Sequence, residues 1–102
     1  MSGAQALAET LAAAHPDETA QMLENFTAAR SAEFLSSLDA DAAAGVVQEI
    51  SRPQATAILN EMTAGAAAGI MNRTPVNEAA GLLRSIPAAR RDEILGRMHR
   101  TR

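Results

Sequence analysis

The chain has no cysteine, lysine, tyrosine or tryptophan, and only two phenylalanines. Without cysteine, neither a disulfide framework nor a thiolate metal site can form. No apolar run approaches the roughly 20 residues that span a bilayer. Nor does a basic segment lead into an apolar one, as it would in a secretory leader, so cytoplasmic residence is the expectation. A serine, histidine and acid arrangement, a phosphate loop and a metal-ligand cluster are missing as well. The chain is therefore expected not to be an enzyme. At 102 residues it is expected to be one domain, long enough to bury roughly 60–70% of its unfolded surface.

Charge is sparse and uneven. Residues 1–83 hold ten acids and three arginines, whereas residues 84–102 hold six arginines and two acids. The acidic body suits cations or a basic partner, and the basic end suits an acidic one. The plain alternative is a solvated surface, with arginines favouring helix C-termini. Arg84, Arg90, Arg91, Arg97, Arg100 and Arg102 could meet phosphates. Nucleic-acid modules, however, add aromatic stacking or a reading helix. With an acidic body and both phenylalanines assigned to the core, no nucleic-acid partner is expected.

What the chain does contain is a repeat. Every twelfth residue from Met22 starts a pair of large apolar side chains: Met22-Leu23, Phe34-Leu35, Val46-Val47, Ile58-Leu59, Ile70-Met71, Leu82-Leu83 and Ile94-Leu95. Three residues after each pair comes another apolar residue: Phe26, Leu38, Ile50, Met62, Ile86 and Met98, with Thr74 the exception. Ala43, Ala55, Ala67 and Ala79 stand three residues before their pairs, which completes an i, i+3, i+4, i+7 stripe. That is one face of an α-helix and not the alternation of a strand. Thr27, Asp39, Ser51 and Thr63 open their blocks where an N-cap belongs, and Ser51 with Gln54 has capping-box spacing. Pro16, Pro53, Pro75 and Pro87 all fall in the first places of a block, where a missing N–H costs little.

Each block is thus expected to be a helix of roughly nine residues, about 14 Å long, followed by a short turn. Helices so short are marginal alone in water, so the stripe must be buried against neighbours. The expected architecture is all-α: a small superhelix, a solenoid-like stack of either hand, with about eight short helices in a 12-residue repeat. Residues 1–14 supply an N-terminal capping helix with Leu7 and Leu11 on one face. The repeats run from 15 to 98, and 99–102 form a basic tail. Gly45, Gly69 and Gly81 are expected to let helices approach closely, as are Gly65 and Gly69 with their four-residue spacing.

Asp39, Asp41 and Gly45 have a faint look of a calcium loop. The glycine is one place late and Ala43 offers no ligand atom, so capping by Asp39 and a dipole role for Asp41 account for them better. His15, without a second histidine nearby, is expected to cap or pack at a turn, and His99 lies in the tail. Met22, Met62, Met71 and Met98 occupy stripe positions and are expected to fill the core. Thr74 is expected to cap the helix that Pro75 begins.

Blocks with a proline or capping start, an alanine-rich middle and an apolar pair plus one resemble the intracellular N-terminal domain of MgtE-type magnesium transporters. Its repeats run H-P-x-[DE]-x-A-x-[ILM]-L, which His15-Pro16-Asp17-Glu18-Thr19-Ala20-Gln21-Met22-Leu23 follows. Leu38 to Ala43 and Ile86 to Arg90 echo later junctions. The likeness covers residues 15–98, and the middle domain of the flagellar rotor protein FliG has related helices. In proteins of the MgtE type this domain precedes paired CBS domains and a transmembrane channel, and magnesium held by carboxylates at the interface favours the closed state. The resemblance implies a magnesium-responsive regulatory module with protein partners, namely CBS domains or a membrane transporter domain. Asp39, Asp41, Glu49 and Glu61 are the candidate carboxylates of its acidic face. The acids are sparser here than in the family pattern, and no CBS domain or membrane segment lies in this sequence. A metal-independent adaptor similar to the FliG middle domain is the alternative.

Overall fold

A computed structural model describes residues 3–99. It contains eight helices: α1 (Gly3–Ala14), α2 (Pro16–Leu23), α3 (Ala28–Ser36), α4 (Ala40–Val47), α5 (Arg52–Glu61), α6 (Ala64–Asn72), α7 (Val76–Arg84) and α8 (Ala88–His99). Among the described residues there is no strand. One helix fills each twelve-residue block, and α2 to α7 are eight to ten residues long. Residues 100–102 of the expected basic tail lie outside the described residues.

The helix starts follow side-chain chemistry. Thr27 accepts the Arg30 N–H at 3.1 Å, Asp39 accepts that of Asp41 at 3.2 Å and Thr63 accepts that of Ala66 at 3.2 Å. Each such cap stabilises its helix by about 1 kcal/mol. Ser51 stands at the N-cap of α5 but its side chain makes no cap bond, so the expected capping box with Gln54 is not formed. Pro53 offers no N–H at the second helical place, and the N–H of Gln54 at the third, which a capping box uses, is not bonded by the Ser51 side chain either. His15 likewise holds the N-cap of α2 without a cap bond; its Nδ1 lies 3.5 Å from a Glu18 carboxylate oxygen.

The helix ends share one device. In six successive blocks the amide of the third apolar position donates to the carbonyl of the pair's second member. These bonds run from Phe26 to Leu23, Leu38 to Leu35, Ile50 to Val47, Met62 to Leu59, Thr74 to Met71 and Ile86 to Leu83, all at 3.0–3.2 Å. A tight three-residue turn satisfies an orphan carbonyl and swings the third side chain back onto the core. No described residue has positive φ, so these ends need no left-handed glycine. Thr74 corrects the sequence reading: it caps nothing, and Pro75 itself is the N-cap of α7. Thr74 is buried, and its hydroxyl donates to the Ile70 carbonyl at 2.7 Å. It fills the third apolar place because its one polar atom is satisfied by its own helix.

Packing joins helices two apart in the chain. The pairs α2–α4, α4–α6 and α6–α8 form one row, α3–α5–α7 forms a second, and α1 lies against α2 and α4. Every described member of the apolar stripe is buried or half-buried. Burial changes hands along the chain. First members Met22 and Phe34 are half-buried, whereas Val46 to Ile94 at the equivalent places are buried; the second members are buried from Leu23 to Leu83 and half-buried at Leu95. Thr19 and Ser31 take the place held elsewhere by the core alanines, and their hydroxyls donate to the carbonyls of His15 (2.9 Å) and Leu23 (3.5 Å).

The glycines behave differently from the expectation. A Cβ on Gly81 would lie 2.8 Å from the Arg52 guanidinium, and one on Gly45 would meet Pro16 at an ordinary 3.9 Å. A Cβ on Gly65 or Gly69 would meet nothing within 4 Å, so their spacing marks no close helix contact. Gly69 sits inside α6, where glycine costs about 1 kcal/mol against alanine. Gly69→Ala is therefore expected to raise Tm by about 4–8 °C for a domain of this size. A melt that is unchanged or lowered would show that the space beside Gly69 is in fact filled.

Candidate functional site

The α4 N-terminus gathers Glu9, Asp39, Asp41 and Arg73 from three helices and their caps. Asp39 caps the helix, and its own backbone N–H donates to both Glu9 carboxylate oxygens, at 3.0 and 3.2 Å. Glu9 comes from α1, thirty residues earlier, and so anchors that helix to the start of α4. Next to it, Asp41 pairs with Arg73 at the C-cap of α6, 3.3 Å apart. All three carboxylates lie at the positive end of the α4 dipole, which favours negative charge. Two candidate site residues, Asp39 and Asp41, thus have structural partners.

The other two candidates lie elsewhere. Glu49 is exposed in the turn after α4. An eight-residue helix separates it from Asp39 and Asp41, a distance of about 12 Å along the axis. Glu61 is exposed at the end of α5, where it lines an open groove of about 440 Å3 with Glu33, Ser36, Ser37 and Thr63. Among the described residues, no group of three or more histidines or acids is placed to hold a metal ion. The structure brings Asp39 and Asp41 to one helix start, and among the described residues it assembles neither Glu49 nor Glu61 with them into a metal-holding group.

The arginines are more committed than the sequence suggested. Arg90 sits in the first turn of α8 yet donates through Nη2 to the Leu59 carbonyl near the end of α5, at 3.1 Å, and through Nη1 to Glu93 at 3.3 Å. Arg91 reaches the carbonyl of Leu83 in the last turn of α7 and that of Ile86 just beyond it, both at 3.4 Å. Both supply positive charge to helix C-termini across space and not within their own helix. Arg30 lies over the Phe26 ring at 5.7 Å, within cation–π reach. Arg52, lying over Gly81, lines a groove of about 210 Å3 with Gln48 and Glu78. Arg84 and Arg97 are exposed.

Sequence reasoning missed Glu9 and Arg90. Nothing in the sequence near Glu9 marks a contact thirty residues away. Arg90 carried a signal: a basic residue in a first helical turn opposes its own dipole, which implies a stronger partner elsewhere.

The described chain is an all-helical repeat domain whose charged side chains mostly cap and clamp helices. Its family is shown by comparison: the family described as MgtE intracellular N domain matches residues 3–101. The chain belongs to that family, whose members are non-catalytic regulatory domains of magnesium transporters. No curated protein and no solved structure matches it. No described helix is long and apolar enough to cross a membrane.

Proposed function

We propose that this chain is a cytoplasmic regulatory domain that works by docking on CBS domains or a membrane transporter domain, with magnesium bridging the interface. The observation that carries this reading is the family match over residues 3–101. The two rows of helices are read as a short superhelix, rigid enough to present its outer charges as one surface. Magnesium prefers hard oxygen ligands, keeps several waters and needs only one or two carboxylates from each side. Exposed Glu49, and Glu61 beside Glu33, are the acids suited to such shared coordination. Two acidic surfaces repel until a cation neutralises them, so the docked state is favoured by differential binding of the metal.

The roles of Asp39 and Asp41 favour a second reading, a metal-independent adaptor, because half of the candidate carboxylates already serve the fold. Amide NMR shifts during a magnesium titration, with sodium chloride matched for ionic strength, discriminate between the two. Saturable shifts around Glu33, Glu49 and Glu61 are expected for the regulatory domain. If those amides follow the salt control, both alone and with a CBS-domain partner added, magnesium has no role here and the adaptor reading stands.

A further inference from the structure

Helix α1 is attached to the body unlike any other. Each of α2 to α8 buries at least one large apolar side chain, from Leu23 on α2 to Ile94 on α8. Among the described side chains of α1, only Ala12 is buried. Its leucines stay near the surface, Leu7 at 71% and Leu11 at 37% exposure. Apolar burial stabilises in proportion to area, so a buried alanine holds a helix far less firmly than a buried leucine. One polar contact adds to it: both Glu9 carboxylate oxygens accept the Asp39 backbone N–H, at 3.0 and 3.2 Å. The joint to the body is a single residue, His15, and Pro16 after it has no N–H to carry helical bonding across.

We infer that α1 is a latch: it opens and closes about His15 while α2 to α8 stay folded, and Glu9 is the catch that holds it shut. Segments with little buried apolar area open at the low end of a domain's local stabilities. When closed, α1 lies on α2 and α4. Opening uncovers both and leaves the Asp39 N–H, at the start of α4, without its acceptor. The His15 joint keeps the open helix beside its seat, so reclosure is intramolecular. The strip of α2 and α4 under α1 is thus occupied by the chain's own helix and is reached only when the latch opens.

Amide hydrogen exchange of the full chain, read by NMR at several low urea concentrations, tests this. The α1 amides are expected to exchange about a hundredfold faster than those of α5 and α6 while remaining protected. Their rates should hardly respond to urea, because opening exposes little surface. The Asp39 amide is expected to follow α1 and not α4, since its acceptor is on α1. Glu9→Ala keeps the helix propensity of α1 and should speed exchange at α1 and Asp39 by about tenfold, with α5 and α6 unchanged. Ala12→Glu puts a long side chain into the buried seat and should leave α1 unprotected, again with α5 and α6 unchanged. Exchange of α1 at the rate and urea dependence of α5 and α6 would show one cooperative unit and overturn the inference. So would Glu9→Ala rates equal to the parent's, an α1 already unprotected in the parent, or protection lost throughout the domain in Ala12→Glu.

Discussion

Leu59→Asp is expected to abolish the folded state. Leu59 is fully buried, at 0% exposure, in the hydrophobic core. Removing a buried leucine side chain costs about 2–5 kcal/mol. Placing a carboxylate there without a partner adds several kcal/mol more, even if it is protonated. Together these approach or exceed the roughly 5–15 kcal/mol that holds a typical domain together. Because helices of eight to ten residues do not persist alone, loss of packing removes the secondary structure as well. The far-UV helical signal should collapse at room temperature, with no cooperative thermal transition. Asn60→Asp, one residue along on the exposed face, is the control and should melt like the parent. If Leu59→Asp also melts like the parent, the buried stripe is assigned to the wrong face.

The second large effect is expected at Arg90. Its side chain is only 20% exposed, and two of its nitrogens hold the end of α5 and Glu93. A hydrogen bond from a charged group contributes about 1.5–3 kcal/mol. Against that, Arg90 Nε is buried with no partner, a cost that truncation removes. Arg90→Ala should therefore destabilise the domain by about 2 kcal/mol, lowering Tm by about 4–8 °C for each kcal/mol. Arg90→Lys keeps the charge but not the planar fork, so it should restore only part of the loss. Arg97→Ala, on the same helix but exposed, should change stability by less than about 0.5 kcal/mol. Equal melting of the Arg90 and Arg97 alanine variants would show that the reach to α5 contributes nothing.

These two residues also mark how far the sequence can be read. Leu59 is legible because its neighbours at twelve-residue spacing are apolar and its helical offsets match the stripe. Thr27, Asp39 and Thr63 are legible because a cap bonds within three residues of itself. Ser51 misleads, since it has the residue type and spacing of a capping box and yet its side chain makes no cap bond. Thr74 misleads in another way. A threonine hydroxyl can turn back onto its own helix, so it passes for a cap while filling a core position. Gly65 and Gly69 have the spacing of a packing contact, yet a Cβ on either would meet nothing within 4 Å.

The charged positions are the least legible. Arg90 meets Leu59 across thirty-one residues, and Glu9 meets Asp39 across thirty. Local pattern carries no information over such distances. The same holds for the candidate carboxylates. That Asp39 and Asp41 lie together follows from their spacing, but that α4 separates them from Glu49 depends on where each helix begins and ends.

The tight turn after each pair has a bearing on how this chain can vary. Because no described residue is left-handed, the turn places no demand for glycine between helices. Its demand is on the number of residues there. The third apolar side chain is tied by a backbone bond to the carbonyl three residues earlier, in six successive blocks. One extra residue at that point would turn the next stripe by about 100° about its helix axis, away from the row it joins. Away from the caps and the third apolar place, substitution at these junctions is cheap and insertion is not. The domain can drift in composition while its twelve-residue metre stays fixed.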